Sequence, residues 1–503
     1  MTQTTTRALR LSALDDVAVM IEPAAPGDDV LGVIARDAVP FGHKMALHDV
    51  APGAVVRKYG QPIGIATQPI LAGEHVHSHN LAVGQGRHAG GAVTAGAAAR
   101  GVASPVDATF QGYLRANGQV GTRNCIAVMG SVNCAATVVR RIARKFEDVA
   151  IPGIDAVVPL THASGCGMAK SGEGIDTLER TLVGYARNPN FAGAVIIGLG
   201  CEVAQIGEML ERHGLAAGPL LKTYTIQDAG GTASAIEKGV ALVQELIEEI
   251  STARRTTRPA SDLVLGLQCG GSDGWSGVTA NPALGAATDL LVAAGGTAFL
   301  SETPEIYGAE HLLLARAADP AVTAALEERI AWWEAHALRH GISLDNNPSP
   351  GNKAGGLTTI FEKSLGAVAK AGSAALSEVL LYGQPRSRNG LIFMDSPGYD
   401  PCSATGQIAS GANLLAFTTG RGSVFGAQCV PCLKLASNAG LAMRMSEDID
   451  IDCSPILSGM PVEELGQHIF RKLLDVASGK PTKSEAQGVG DYEFVPWQLG
   501  AWV

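Results

Sequence analysis

Four cysteines fall at comparable places in the chain. Cys134 follows IAVMGSVN, Cys166 follows AVVPLTHASG, Cys201 follows AVIIGLG and Cys269 follows LVLGLQ. Each run has the length and apolar content of a buried strand, so each thiol is expected at or just past a strand end. In a parallel sheet those ends share one edge, which is where α/β proteins place ligand sites. Glycines crowd three of them, in SGCGM, GLGCE and QCGGSDG, and leave room for close approach. The set Cys134, Cys166, Cys201 and Cys269 reads as a soft-ligand iron site or an iron–sulfur cluster. The competing reading is buried structural cysteine, a small apolar residue. The spacings are not those of a zinc ribbon, and the C-V-P-C of Cys429 and Cys432 lacks a second pair.

A second set lies in EHVHSHN, residues 74 to 80. Strand alternation puts His75, His77 and His79 on one face, with a separation suited to imidazole ligation of a divalent ion. The alternative is a solvated strand face, and His43 and His48 in FGHKMALHD are further candidates. For an anionic ligand the best-placed cations are Lys353 in the turn-rich NPSPGNKAGG, Arg421 in TTGRG and Arg123 in VGTRN. Arg421 has the backbone donors of Gly420 and Gly422 beside it, a plausible carboxylate fork. Asn124 and Asp273 complete the candidate substrate contacts. For proton transfer the candidates are His162 in THASGCG and Glu302 in SETPE, with Lys353 counted among the catalytic groups. Structural ion pairs are the alternative for Arg421 and Lys353, and a supporting residue behind the site or a partner for a substrate hydroxyl is the alternative for His162. No G-x-G-x-x-G opens a helix after the first strand and no G-x-x-x-x-G-K-[ST] occurs, so nucleotide chemistry loses ground.

The elements that must position these groups divide the chain. At about 150 residues per domain, 503 residues imply roughly three domains. The net charge of −10 argues against a generic polyphosphate or nucleic-acid surface, so an acidic ligand must be met by a local cluster of cations. Hydrophobic residues make up 46% and glycine supplies 62 positions, which suits a tight-turned α/β enzyme. Nine cysteines are too few for a disulfide scaffold and too odd to pair completely, so a reducing cytoplasm is the expectation. No secretion signal and no apolar stretch of membrane-spanning length is read.

Residues 1–84 alternate short apolar runs with PG, PFG and AGE turns, which favours a compact β-rich module. The Gly/Ala-rich stretch placed at 85–111 reads as a linker that lets this module move. Thereafter strand-length runs alternate with helical segments such as GTASAIEKGVALVQELIEEI, the signature of parallel sheets covered on both faces. STARRTTRPASD divides a first α/β domain, 112–255, from a second, 256–503.

With these residues in view, the chain resembles the altronate/galactarate dehydratase family of sugar-acid hydro-lyases. The resemblance rests on GEHVHSHNL, NGQVGTRNCIAV, THASGCGM, QCGGSDGWSGVTANPALG, SETPEIYGAEHLL, NPSPGNKAGGLTTIFEKSLG and FTTGRGSVFG, and it covers nearly the whole chain. It implies an N-terminal SAF-type β-clip module at about 10 to 84 followed by two α/β domains with mainly parallel sheets. It also implies iron-dependent loss of water from an aldonic or aldaric acid to give a 2-keto-3-deoxy acid. The cofactor expected is iron, as Fe2+ or an iron–sulfur cluster, with Mn2+ as the alternative ion. The expected partner is a small sugar acid, not nucleic acid or membrane, and a homo-oligomer, a dimer, is expected in the cytoplasm. The alternatives are elimination of another leaving group from a 2-hydroxy acid, such as sulfite from sulfolactate, and sugar-acid binding without turnover.

Overall fold

The N-terminal module has no long element, because PG, PFG and AGE turns interrupt its apolar runs before they extend. In the computed structural model, which describes residues 7–84, 107–147 and 149–500, it is built from short antiparallel strands. Val17–Met20, Lys44–Ala46 and His75–Val76 pair in one sheet, and Val55–Lys58, Gln61–Ala66 and Leu81–Ala82 in another.

The second domain is a four-stranded parallel sheet of β1 (Cys125–Gly130), β2 (Ala156–Leu160), β3 (Phe191–Gly198) and β4 (Leu221–Thr225), in the order β2-β1-β3-β4. Strand β1 is buried along its whole length, so its side chains alternate between two cores. Ile126 and Val128 face α1 (Ala136–Ala143) and α3 (Thr232–Ile250). Ala127 and Met129 face α2 (Glu173–Arg187).

The third domain carries seven parallel strands: β5 (Val264–Cys269), β6 (Thr297–Ser301), β7 (Leu376–Leu380), β8 (Gly390–Met394), β9 (Leu414–Thr419), β10 (Cys432–Ala436) and β11 (Ile451–Asp452). Their order is β7-β8-β6-β5-β9-β10-β11. From β5 the chain lays β6 beside it, then the edge strand β7, and returns to insert β8 between β7 and β6, before it crosses to lay β9, β10 and β11 on the other side. The strand order therefore reverses between β5 and β9, and the C-terminal ends of strands at such a reversal are where open α/β sheets place their ligand crevice.

The three units are not beads on a string. The core under α2 continues into the third domain through α6 (Asp400–Ala409), Phe299, Ile392 and Phe417. The opposite face of the seven-stranded sheet, under α4 (Ala280–Ala293) and α7 (Val462–Ala477), shares one core with Val17, Val56, Ile63 and Val76 of the N-terminal module. The expectation that this module moves independently is thus corrected. Lys44 and Lys58 leave it to meet Glu362 of α5 (Ile360–Val368) at 2.9 Å each, and all three are fully or almost fully buried.

Most of the expected linker lies outside the described residues. Its last part, however, is strand: Thr109–Leu114 pairs with Thr256–Pro259, inside the segment expected to separate the α/β domains. Cys125 and Cys429 form a disulfide, which joins the second domain to the third. Cys432 is buried in β10, so C-V-P-C is not a paired site. Among the described residues no helix is long and apolar enough to cross a membrane.

Candidate active site

The loops leaving β5 and β9 meet at the crevice. Gly271 O accepts from Gly420 N at 3.0 Å and from Arg421 N at 2.7 Å. Asp273 fixes the arrangement by taking five hydrogen bonds, from Trp275 N, Ser276 N, Ser276 Oγ, Ser437 Oγ and Asn438 Nδ2. A Cβ on Gly420 would lie 2.2 Å from Asp273 Cγ, so only glycine fits there. Asp273 is therefore corrected from a substrate contact to a group that holds the loops. Arg421 itself is exposed, and among the described residues it makes no ion pair.

Residues 349–356 form the next wall. Ser349 caps a short helix, and Asn352 Nδ2 bonds Ser272 O at 2.8 Å while Gly274 N bonds Gly355 O at 2.8 Å. This brings Lys353 and Arg421 to one rim, with Gly355 packed against the Arg421 side chain. Lys353 is half-buried and makes no ion pair among the described residues.

The N-terminal module closes this wall from above. His43, His75 and His77 lie with ring centroids 5.1 to 5.3 Å apart, and His79 is 5.7 Å from His75. His43 Nε2 lies 3.3 Å from Ala354 O and His77 Nε2 2.9 Å from Lys353 O. A carbonyl only accepts, so both Nε2 atoms carry protons. His43 Nδ1 then accepts from His75 Nε2 at 3.0 Å. Burial, and after it the neighbouring imidazoles and Lys44, pulls His75 down to about 3; burial draws His43 to about 4 and also lowers His77. His43, His75 and His77 form a neutral imidazole set, with His79 beside it, of the donor chemistry that suits a divalent transition metal. In this arrangement no three of their ligand nitrogens converge within 4.8 Å, so an ion would have to replace the His43–His75 hydrogen bond.

Beneath the crevice lies a polar cluster at the ends of β5 and β6. Lys370 Nζ donates to Cys269 Sγ at 2.8 Å, Lys363 Nζ lies 2.6 Å from Glu305 Oε1, and Asn347 Nδ2 donates to the same oxygen at 3.0 Å. Against burial, the two ammoniums hold Glu305 down at about 2. Burial, then the Glu305 and Asp400 charges, pushes Glu302 well above the carboxylate range and so keeps it protonated. Glu302 is 2% exposed, has a left-handed backbone at φ 70°, and leaves Oε2 without a hydrogen-bond partner. Such strain in a residue other than glycine persists where the surroundings hold it, commonly at functional sites. Cys269, Glu302 and Glu305 do bring ligand atoms within 4.8 Å of one another. The place of a cation there is taken by the lysine ammoniums, and burial pushes the Cys269 thiol up to about 12.

The structure separates other expected members. Cys134, Cys166 and Cys201 lie on loops after β1, β2 and β3 of the second domain, whereas Cys269 is buried in the third, so the four do not form one set. Arg123 is buried and its fork is taken by Glu485, with Nε at 2.7 Å and Nη2 at 2.9 Å. Asn124 is buried between Arg115 Nη1 and Gly153 O. Neither faces the crevice as a substrate contact. His162 also belongs to the second domain, and both ring nitrogens are engaged, with Gly130 O at 2.9 Å and Ser164 Oγ at 3.1 Å. These bonds brace its loop against the end of β1.

Sequence reasoning missed Lys363, Lys370 and Asp400. Lys363 lies in a helical run that carries no chemical motif, and its burial follows from packing alone. Asp400 reaches the cluster because Gly270 leaves room, a Cβ there lying 2.4 Å from Asp400 Oδ2.

Residues 6–84 match the family described as altronate/galactarate dehydratase SAF domain. Residues 112–251 match the D-galactarate dehydratase/altronate hydrolase second domain, and 260–502 the D-galactarate/altronate dehydratase C-terminal family. The chain is 36% identical to the altronate dehydratase of Escherichia coli (strain K12) over 488 residues, covering 95% of this chain and 96% of the relative. It is 38% identical to the galactarate dehydratase (L-threo-forming) of the same organism over 459 residues, 89% and 88% of the two chains. It is 33% identical to the (2R)-sulfolactate sulfo-lyase subunit beta of Chromohalobacter salexigens over 396 residues, 78% of this chain and 97% of the relative.

Proposed function

This chain belongs to the D-galactarate/altronate dehydratase family and is a hydro-lyase, and from that premise we propose that it dehydrates an aldonic or aldaric acid in an iron-dependent reaction. The product is a 2-keto-3-deoxy acid. The observation that carries the site assignment is Arg421, an exposed guanidinium without an ion pair among the described residues, set at the strand-order reversal beside Lys353 and under the histidine cluster of the N-terminal module.

Removing water from a 2,3-dihydroxy acid requires loss of a weakly acidic C2 proton, stabilisation of the resulting enolate and help for a poor hydroxide leaving group. Arg421 holds the substrate carboxylate through its planar fork and Lys353 holds an adjacent oxygen. Glu302, kept protonated by burial, gives its proton to the departing C3 hydroxyl, which leaves as water, and its carboxyl, one oxygen of which has no hydrogen-bond partner, takes up the C2 proton, so it ends the cycle in its starting protonation state. His43, His75, His77 and His79 are the residues that would hold Fe2+. When bound there, the ion supplies a Lewis acid for substrate oxygens. In this reading the enzyme works in the cytoplasm as a homodimer.

The test is a panel of sugar acids, with sulfolactate included, incubated with iron-loaded and with Mn2+-loaded protein and assayed for 2-keto acid and for sulfite. Keto acid from a sugar acid supports the proposal. Sulfite release alone would replace it with the sulfo-lyase chemistry named for the third relative, and binding without product would make the chain a sugar-acid binder.

A further inference from the structure

Three of the free cysteines are exposed and the other four are buried. The exposed ones, Cys134, Cys166 and Cys201, follow three strands that are immediate neighbours in the order β2-β1-β3, and all three leave by the same sheet edge. Their loops are bonded to one another. Asn133 N donates to Ser164 O at 3.0 Å, Asn133 Nδ2 to His162 O at 3.2 Å, and Ala204 N to Gly165 O at 3.0 Å.

Two buried polar side chains brace the same loops. His162 ties the Cys166 loop to Gly130 at the end of β1. Glu202 takes Ser131 Oγ at 2.9 Å and Gly200 N at 2.6 Å, which ties the Cys201 loop to the Cys134 loop. Gly165 has φ 98°, and a Cβ on it would lie 2.3 Å from Ser131 O, so the Cys166 loop presses on the Cys134 loop as only glycine allows. The three loops that carry the exposed thiols are thus braced against one another, and the sugar-acid chemistry at the third domain uses none of them.

We propose that Cys134, Cys166 and Cys201 hold an iron–sulfur cluster of the 4Fe–4S type on the second domain, separate from the histidine set. Thiolates select zinc, copper(I) and iron–sulfur centres. One zinc ion binds thiolates at about 2.3 Å, which packs the sulfurs about 4 Å apart, whereas these three Sγ atoms do not all come within 4.8 Å of one another. A cubane spreads its ligands over different irons and so accepts the wider spacing. Three thiolates leave one iron without a cysteine, and that corner is open to an oxygen ligand such as a carboxylate or hydroxyl. Ligation is acid–base chemistry: each thiol gives its proton to solvent and forms one Sγ–Fe bond. Two Fe2+, two Fe3+ and four sulfides supplied from outside make the 2+ core, with no redox change in the protein.

The test is anaerobic reconstitution of the full chain with ferrous and ferric iron and sulfide, followed by desalting. Iron, acid-labile sulfide, visible charge-transfer absorbance and the electron paramagnetic resonance of the reduced protein are then read. About four irons and four sulfides per chain are expected for the wild type. Cys134→Ala, Cys166→Ala and Cys201→Ala should each lose at least about tenfold of the sulfide with unchanged melting of the metal-free protein. Cys453→Ala and His77→Ala should keep it. Wild-type protein that retains no acid-labile sulfide, a single bound zinc in its place, or retention in all three loop variants would overturn the proposal. This readout does not depend on turnover, so it fails or succeeds apart from the dehydratase assignment.

Discussion

Glu362→Gln removes the one carboxylate that faces two buried ammoniums. Glu362 Oε2 lies 2.9 Å from Lys44 Nζ and Oε1 2.9 Å from Lys58 Nζ, in a place without solvent. Burial already draws Lys44 down to about 8, while against burial the carboxylate raises Lys58. With glutamine in place, each lysine must stay charged without a partner or give up its proton. Giving up a proton at pH 7.5 costs about 4 kcal/mol for an ammonium of ordinary pKa about 10.4, which caps the penalty per lysine. The same size is typical for breaking one side of a buried pair, roughly 3 to 5 kcal/mol.

The expected loss is therefore about 4 kcal/mol, carried mainly by Lys58 because Lys44, already drawn down to about 8, gives up its proton at pH 7.5 at little further cost, against total stabilities on the order of 5 to 15. The sign with pH follows from proton binding. In the variant the folded-state lysine pKa lies below the unfolded value, so the unfolded chain binds more protons and stability rises with pH. At pH 9.5 the cap falls to about 1 kcal/mol per lysine, and the gap to wild type should narrow by about 3 kcal/mol or more. Urea unfolding at pH 7.5, 8.5 and 9.5 measures it. A loss below about 1 kcal/mol at pH 7.5, or a gap that stays constant with pH, would refute the reasoning.

Arg421→Lys keeps the charge but loses the planar fork, so kcat/KM on the active sugar acid should fall by about 2 kcal/mol with an unchanged melting curve; near-normal kinetics would reject the carboxylate role. Burial, then the Glu305 charge, raises Asp400 to about 6, so the folded state binds the extra proton and burial of the ionised group destabilises the protein as pH rises from about 4 to 6. Asp400→Asn should then be more stable than wild type at pH 7.5 by up to about 3 kcal/mol and nearly equal at pH 4; a gain that is independent of pH would contradict this. Gly420→Ala places its Cβ against Asp273 and should lower both turnover and stability, the latter by roughly 1 to 3 kcal/mol, which calorimetry alongside the keto-acid assay will show.

The strand runs IAVMG, AVVPL, LVLGLQ, LIFMD and LLAFTTG and the helix of residues 232–250 were legible because fully buried strands and amphipathic helices are local patterns. So was the place of Arg421, whose glycine-rich loop announces a turn at a strand end; Lys353 instead lies in a short helix, Pro350–Ala354, and the histidines gather without strand alternation, since the strand ends at Val76 and a turn carries His77 and His79. What the sequence could not show is which strands are neighbours. That decision places Cys134, Cys166 and Cys201 on one sheet and Cys269 on another, gives the fork of Arg123 to Glu485, and brings Asp400 beside Glu302 across about a hundred residues. The docking of the N-terminal module was equally hidden, since Lys44 and Lys58 look like surface residues until Glu362, some three hundred positions away, supplies their counter-charge. Local pattern determined the elements and the loops that carry the chemistry; burial and long-range pairing, which depend on sheet order, decided which of those groups remain free to act.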